Sequence, residues 1–169
     1  MEFRKSELAD VARIMQIINK AKASLKQAGI DQWQQGYPNE KVIETDIAFS
    51  ESYVALLEGV IVGTVAITFG EEEHYDEIRE GNWKNESGPY AVIHRIAVDP
   101  DYKGNGIAGF LISQAEMIGS GKIHSIRIDT HEVNIPMQRV IEKLGFHLCG
   151  KVNLPGCGSE RLTFEKIVN

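Results

Sequence analysis

Ile96-Ala97-Val98-Asp99-Pro100-Asp101-Tyr102-Lys103-Gly104-Asn105-Gly106-Ile107-Ala108 is the stretch on which the fold is read. Its first three residues end a run, Tyr90 to Val98, whose β-branched and aromatic content predicts a strand. Asp99-Pro100 ends that strand, because proline cannot donate to a ladder. A glycine-rich turn then opens a helix with Ile107, Phe110, Leu111, Ala115 and Ile118 on one face, stopped by Gly119 and Gly121. Ile123 to Asp129 follows as the next strand. Strand, crossover helix and strand together predict a locally parallel pair inside a mixed sheet.

Gly104-Asn105-Gly106-Ile107-Ala108-Gly109 also matches G-x-G-x-x-G, with Asp129 ending the next strand 25 residues after Gly104. A nicotinamide dinucleotide site has that spacing. Against it, Asp99 to Lys103 separate the strand from the first glycine. Two helices and a hairpin precede the motif, and only 60 residues follow Gly109. A tight structural turn is a further reading. The physics points to a pyrophosphate: close glycines let backbone N–H groups approach it, the helix aims its positive end at it, and Lys103 adds a cation.

Working outward, Phe3 opens a short strand and Ser6 offers a helix cap. Val11, Ile14, Met15, Ile18, Ala21 and Leu25 recur at helical spacing until Gly29. Trp33 to Pro38 reads as a loop and Lys41 to Phe49 as a second helix. Tyr53 to Leu57 and Val60 to Phe69 form a hairpin about Glu58-Gly59, with Gly63 marking a bulge. Residues 71–88 carry Glu71, Glu72, Glu73, Asp76, Glu77 and Glu80 and read as a solvated loop. Asn134 caps a helix with Pro136 in its first turn, Met137, Val140, Ile141 and Leu144 facing inward, and Gly145 at its end. Phe146 to Val152 and Arg161 to Ile167 form a closing hairpin around Pro155-Gly156. The predicted order is β-α-α-β-β-β-α-β-α-β-β.

The 169 residues are 43% hydrophobic and 25% charged, and 18 Lys and Arg against 24 Asp and Glu leave a net charge of −6. That is an ordinary globular composition for one domain. The acidic balance argues against a nucleic-acid partner, which needs clustered cations. No apolar run is long enough to span a membrane. Met1 runs straight into charged residues, so a cytoplasmic location is expected. The two cysteines, Cys149 and Cys157, read as idle thiols.

The glycine turn with its flanking strand resembles the acetyl-coenzyme A motif of the GNAT family of N-acetyltransferases. Gly106 and Ala108 stand at its last two places. Lys103 stands where Arg or Gln is usual, keeping the charge without the planar fork. Asn134 and Leu144-Gly145-Phe146 are similar to the family's Asn-to-Gly-Phe segment, so the resemblance covers 90–147. It implies an α/β (α+β) fold with a mixed, mostly antiparallel sheet of about seven strands, a central splayed parallel pair and about four helices. It implies a single N-acetyltransferase domain over 1–169, an acyltransferase using acetyl-coenzyme A and no metal. The primary amine of a small molecule or peptide would attack directly in a ternary complex.

Carried over, Ile96, Ala97 and Val98 would lend main-chain contacts to pantetheine, one amide serving as oxyanion donor. Lys103, Gly104, Asn105, Gly106, Ile107 and Ala108 would hold the pyrophosphate, and Asn134 the pantetheine end. Many members protonate the leaving thiolate with a Tyr where this chain has Ile141. That difference leaves a second reading, a non-catalytic coenzyme A-binding sensor or scaffold. His94, His131 and Glu132 are the candidates for removing the amine's proton, with Asp129 beside them. Alternation along the strand would put His94 on the face of Ile96 and Val98. A half-buried structural histidine is the plainer account. Trp33 and Tyr37 lie where the family roofs its acceptor. The acidic 71–80 stretch points to a cationic acceptor such as a polyamine, and a homodimer is common among relatives.

Overall fold

The order expected from the sequence is the order found: β1 (Glu2–Lys5), α1 (Val11–Gln27), α2 (Glu40–Ala48), β2 (Ser52–Leu57), β3 (Val60–Phe69), β4 (Tyr90–Val98), α3 (Ile107–Gly119), β5 (Ser125–His131), α4 (Ile135–Lys143), β6 (His147–Asn153) and β7 (Glu160–Ile167). The computed structural model describes residues 1–154 and 159–168. Cys157 and the Pro155-Gly156 turn therefore lie outside the described residues. The strands form one sheet in the order β1-β2-β3-β4-β5-β7-β6. Its neighbours are antiparallel where β1 meets β2, β2 meets β3, and β7 meets β5 and β6. β4 and β5 are parallel, from Tyr90↔Ser125 to Ile93↔Ile128.

Two compact units divide the chain, one of Met1–Ile67 with His94–Gln114, the other of Thr68–Ile93 with Ala115–Asn169. In the first, Val11, Ile14, Ile17 and Ile18 of α1 pack on Ile43 of α2 and on Val54, Leu56, Ile61 and Ala97. The i, i+3, i+4, i+7 spacing of that stripe is why the segment is a helix. Ser6 does not cap it. Its hydroxyl bonds the Ser52 hydroxyl at 2.9 Å, while the Glu7 amide donates to Asp10 Oδ2 at 2.8 Å. Asn39 caps α2 by accepting from the Val42 amide at 3.1 Å. Glu58 and Gly59, at φ 52° and 78°, make the β2–β3 turn, the left-handed pair a two-residue hairpin of this hand requires.

The expected bulge is present. Ala55 pairs with Gly63 and Leu56 with Ile61, so Val62 is the extra residue. Gly63 has a second reason to be glycine. A Cβ there would lie 2.9 Å from Ile107 Cγ2, 3.1 Å from Leu111 Cδ1 and 3.3 Å from the Ala97 carbonyl. The missing side chain lets α3 lie close on β3.

In the second unit β5 begins at Ser125, two residues later than its apolar pattern suggests. The Lys122 and Ile123 amides donate back to the Gly119 carbonyl at 2.9 and 3.2 Å, so the turn that closes α3 uses them. The 71–88 segment is more than a solvated loop. Its acidic residues mostly face solvent, but Tyr75 is fully buried and packs with Tyr90, Val92 and Val152, joined by Ile78 and Trp83. Asn134 caps α4 with Met137 as its donor, and Gly145 closes it at φ 87°.

Candidate functional site

In the first unit, the glycine turn is held from behind by one carboxylate. Asp99 follows β4, and its side chain is 1% exposed. Arg13 Nη2 reaches Asp99 Oδ2 at 2.6 Å. Lys20 Nζ reaches Oδ1 at 2.9 Å and Asp101 at 2.6 Å. The Asp101 amide adds a bond at 3.1 Å. The bulge supplies the rest: the Ile61 carbonyl accepts from Arg13 Nε at 3.0 Å, and the Val62 carbonyl from the Asp99 amide at 2.8 Å. Burial alone would raise the Asp99 pKa, but the bonds from Lys20, Asp101 and Arg13 outweigh it and the value is lowered. The carboxylate stays ionised and fixes where the turn begins.

Beyond this anchor, Pro100–Tyr102 form one short turn of helix. Lys103, Gly104, Asn105 and Gly106 are exposed. Gly104 and Gly106 have φ 86° and 72° and nothing within 4 Å of where a Cβ would stand. Left-handed backbone with open space on its outer side suits main-chain approach by an anion. α3 then begins at Ile107, whose side chain is buried in the core, leaving its amide as the group that could serve a ligand. Ala108 is half-buried at the start of the same helix, whose leading N–H groups have no intrahelical partners. On β4, Ile96 and Val98 are half-buried and Ala97 is buried.

Strand alternation does not pass through this part of β4. Arg95 sits at φ 50°, and a left-handed residue inside a strand resets which face its neighbours take. The two-residue spacing from His94 to Ile96 therefore does not assign them one face. Arg95 grips Asp46 of α2 with two bonds, 2.7 and 2.8 Å, and donates to the Tyr37 hydroxyl at 2.8 Å. Burial raises the Asp46 pKa, opposed by Arg95 and by nearby His94. His94 is half-buried. Trp33 packs on the α1–α2 core, while Tyr37 is exposed. Neither Arg95 nor Asp46 was foreseen, and no spacing signals a pair 49 residues apart.

In the second unit, His131 ends β5. Its Nδ1 accepts from the Val133 amide at 3.3 Å, and its carbonyl accepts from the Asn134 amide at 2.9 Å. Glu132 is exposed and Asn134 is buried at the start of α4. Ile141 is fully buried, so its place on α4 faces the core. Asp129 Oδ2 accepts from the Tyr75 hydroxyl at 2.8 Å. Burial and the neighbouring carboxylate push the Tyr75 pKa well up, so the phenol keeps its proton. Glu165, wholly buried, accepts from Ser125, Arg127 and the amides of Lys84 and Asn85. Arg127 lies between the rings of Trp83 and Tyr90, 4.0 and 3.7 Å from their centroids. Cys149 is buried, and burial pushes its thiol pKa up. No helix among the described residues is long and apolar enough to cross a membrane.

Residues 14–146 match the sequence profile of the acetyltransferase (GNAT) family. An N-acetylaspartate synthetase of Xenopus tropicalis is 32% identical over 143 residues, 75% of this chain and 47% of that protein. An S-alkylcysteine N-acetyltransferase of Bacillus subtilis is 23% identical over 68% of this chain and 58% of its own. The chain thus spans about half the length of the curated relatives it matches. A GNAT-family acetyltransferase structure from Streptococcus agalactiae superposes with a TM-score of 0.91 at 36% identity, covering 99% of this chain and 95% of that one.

Proposed function

Because the chain belongs to the acetyltransferase (GNAT) family, we propose that residues 1–169 form an N-acetyltransferase domain. It moves the acetyl group of acetyl-coenzyme A to an amine of a small molecule or peptide. The carrying observation is the exposed, left-handed glycine turn at 104–106, braced by buried Asp99 and leading into α3. Lys103 and the amides of Gly104 to Ala108 take the pyrophosphate. Main-chain groups of Ile96 to Val98 take the pantetheine arm, and one amide polarises the thioester carbonyl. Asn134 serves the pantetheine end. The amine nitrogen forms the new C–N bond as the C–S bond breaks. His94, His131 or Glu132 takes the amine's proton, directly or through water. Solvent protonates the thiolate, a good leaving group with a pKa of roughly 8.5, so a buried Ile141 is tolerable. The names of both curated relatives refer to N-acetylation of an amino acid, which supports a small amine as acceptor.

Thermal unfolding with acetyl-coenzyme A and NAD side by side, then coenzyme A thiol release with an amine panel, tests this. Acetyl-coenzyme A at ~100 times its dissociation constant should add about 2.7 kcal/mol of stability; stabilisation by NAD alone overturns the reading. Binding without turnover on any amine favours the sensor or scaffold suggested by Ile141. His94→Ala should lower turnover ~10- to 1000-fold while leaving acetyl-coenzyme A affinity unchanged. That deficit should shrink as pH rises and the amine deprotonates unaided. Wild-type turnover at pH 7 would move the role to His131 or Glu132.

A further inference from the structure

Among the described residues, buried side-chain atoms without a hydrogen-bond partner include Arg161 Nη1, Thr163 Oγ1 and His74 Nε2. The first two stand beside one carboxylate, that of Asp129, while His74 lies 3.6 Å from a carboxylate oxygen of Glu72. Arg161 and Thr163, two apart on β7, share a face. Thr163 is registered opposite Asp129 and Arg161 opposite His131. Asp129 Oδ1 lies 4.0 Å from Arg161 Nε, beyond hydrogen-bond length. Its other oxygen is occupied by the Tyr75 hydroxyl, and the His74 ring packs against that of Tyr75 with centroids 4.7 Å apart. The Arg161 side chain is only 7% exposed. A guanidinium so buried is kept where acceptors meet its N–H groups. Here Asp129 stands at ion-pair distance only, and Nη1 has no hydrogen-bond partner among the described residues.

We propose that Arg161, with the Thr163 hydroxyl, binds a carboxylate of the acceptor. The acceptor is then an amine that also carries a carboxylate, of the amino-acid class. Calling that ligand the acceptor rests on the acetyl-transfer reading; the carboxylate site does not. A planar guanidinium fork matches a carboxylate with two parallel bonds, and a threonine hydroxyl can add a third donor. Arg161 stands opposite His131, so a bound amino acid places its amine on the face where a candidate proton acceptor already lies. The exposed acids of residues 71–80 act through water and are screened. Arg161 acts where water is scarce, so its hydrogen bonds to a ligand are screened less than the pull of those acids.

The test is a panel of common amino acids and, for the best acceptor, its carboxamide and its decarboxylated amine. Coenzyme A release and calorimetric binding of the amino acid are measured separately. The wild-type protein should prefer carboxylate over carboxamide, and Arg161→Gln should reduce that preference about 10- to 100-fold. The loss should appear chiefly in KM for the carboxylate acceptor. Arg161→Lys should recover part of the preference, and Thr163→Val should lose a smaller part. No binding or use of any amino acid, an indifferent wild type, or an equal loss on both acceptors overturns the proposal. Arg161-dependent binding without transfer keeps the site and removes the acetyl-transfer reading. Transfer to uncharged amines that ignores Arg161 does the reverse. If Arg161→Gln fails to fold, the carboxylate-to-carboxamide ratios of Arg161→Lys and Thr163→Val decide.

Discussion

Asp99 and Arg161 are both charged, both buried, and both one residue into or beyond a strand end, yet they are provided for in opposite ways. Asp99 receives bonds from Arg13, Lys20 and the Asp101 amide. Arg161 has Asp129 at 4.0 Å and an Nη1 with no hydrogen-bond partner among the described residues. The chain completes the first network from its own groups and leaves the second with donors to spare. A completed buried network fixes backbone; one with spare donors is where a ligand of opposite charge can add bonds without displacing any.

The comparison is sharpest for a third network. Glu165→Gln keeps the shape but removes the charge facing buried Arg127, and should destabilise the fold by about 3–5 kcal/mol, read from urea unfolding. A loss below about 1 kcal/mol would show that the rings on both sides of Arg127 compensate for the missing charge. Asp99→Asn should cost less, about 2 kcal/mol, because Arg13 and Lys20 are partly exposed and can turn to water. The Asp99 pKa is below its ordinary 3.8. Its stabilisation is therefore fully present above that value and disappears as pH falls through the lowered one. Stability curves of wild type and Asp99→Asn should converge on the acid side. Curves that stay parallel into strong acid would mean that ionisation of Asp99 is not what holds the turn.

Tyr75→Phe breaks the contrast by freeing Asp129 to pair with Arg161. Stability should fall by about 1 kcal/mol, while binding of a carboxylate ligand weakens by more than that; unchanged ligand binding would mean that Asp129 is not held back by the phenol. An equally small effect on stability belongs to Gly106→Ala. A left-handed alanine costs about 1 kcal/mol, and open space adds no clash. Thermal unfolding should show that small loss, with a larger one in acetyl-coenzyme A affinity.

What the sequence could disclose depended on how local the cause was. Tyr90–Val98 and the Glu58-Gly59 turn follow from neighbours in the chain, and both stand where expected. The start of β5 moved because amides of Lys122 and Ile123 close α3, a demand invisible to an apolar pattern. The acids of 71–80 hid Tyr75, a single aromatic without periodicity. The partners of Asp99 lie 86 and 79 residues away, so its motif was readable and its bracing was not. Likewise, nothing near Arg161 announces that its Nη1 has no hydrogen-bond partner among the described residues.

Gly63 acts as a spacer of zero thickness. With Ile107 Cγ2 2.9 Å from the position a methyl would take, Gly63→Ala must lift the first turn of α3 by a few tenths of an ångström or make Ile107 change rotamer. The first response shifts the amides that begin at residue 107 without removing any; the second leaves the backbone where it is and repacks Ile107. Position 63 is thus a calibration screw for how closely α3 lies on β3, adjustable one methyl at a time.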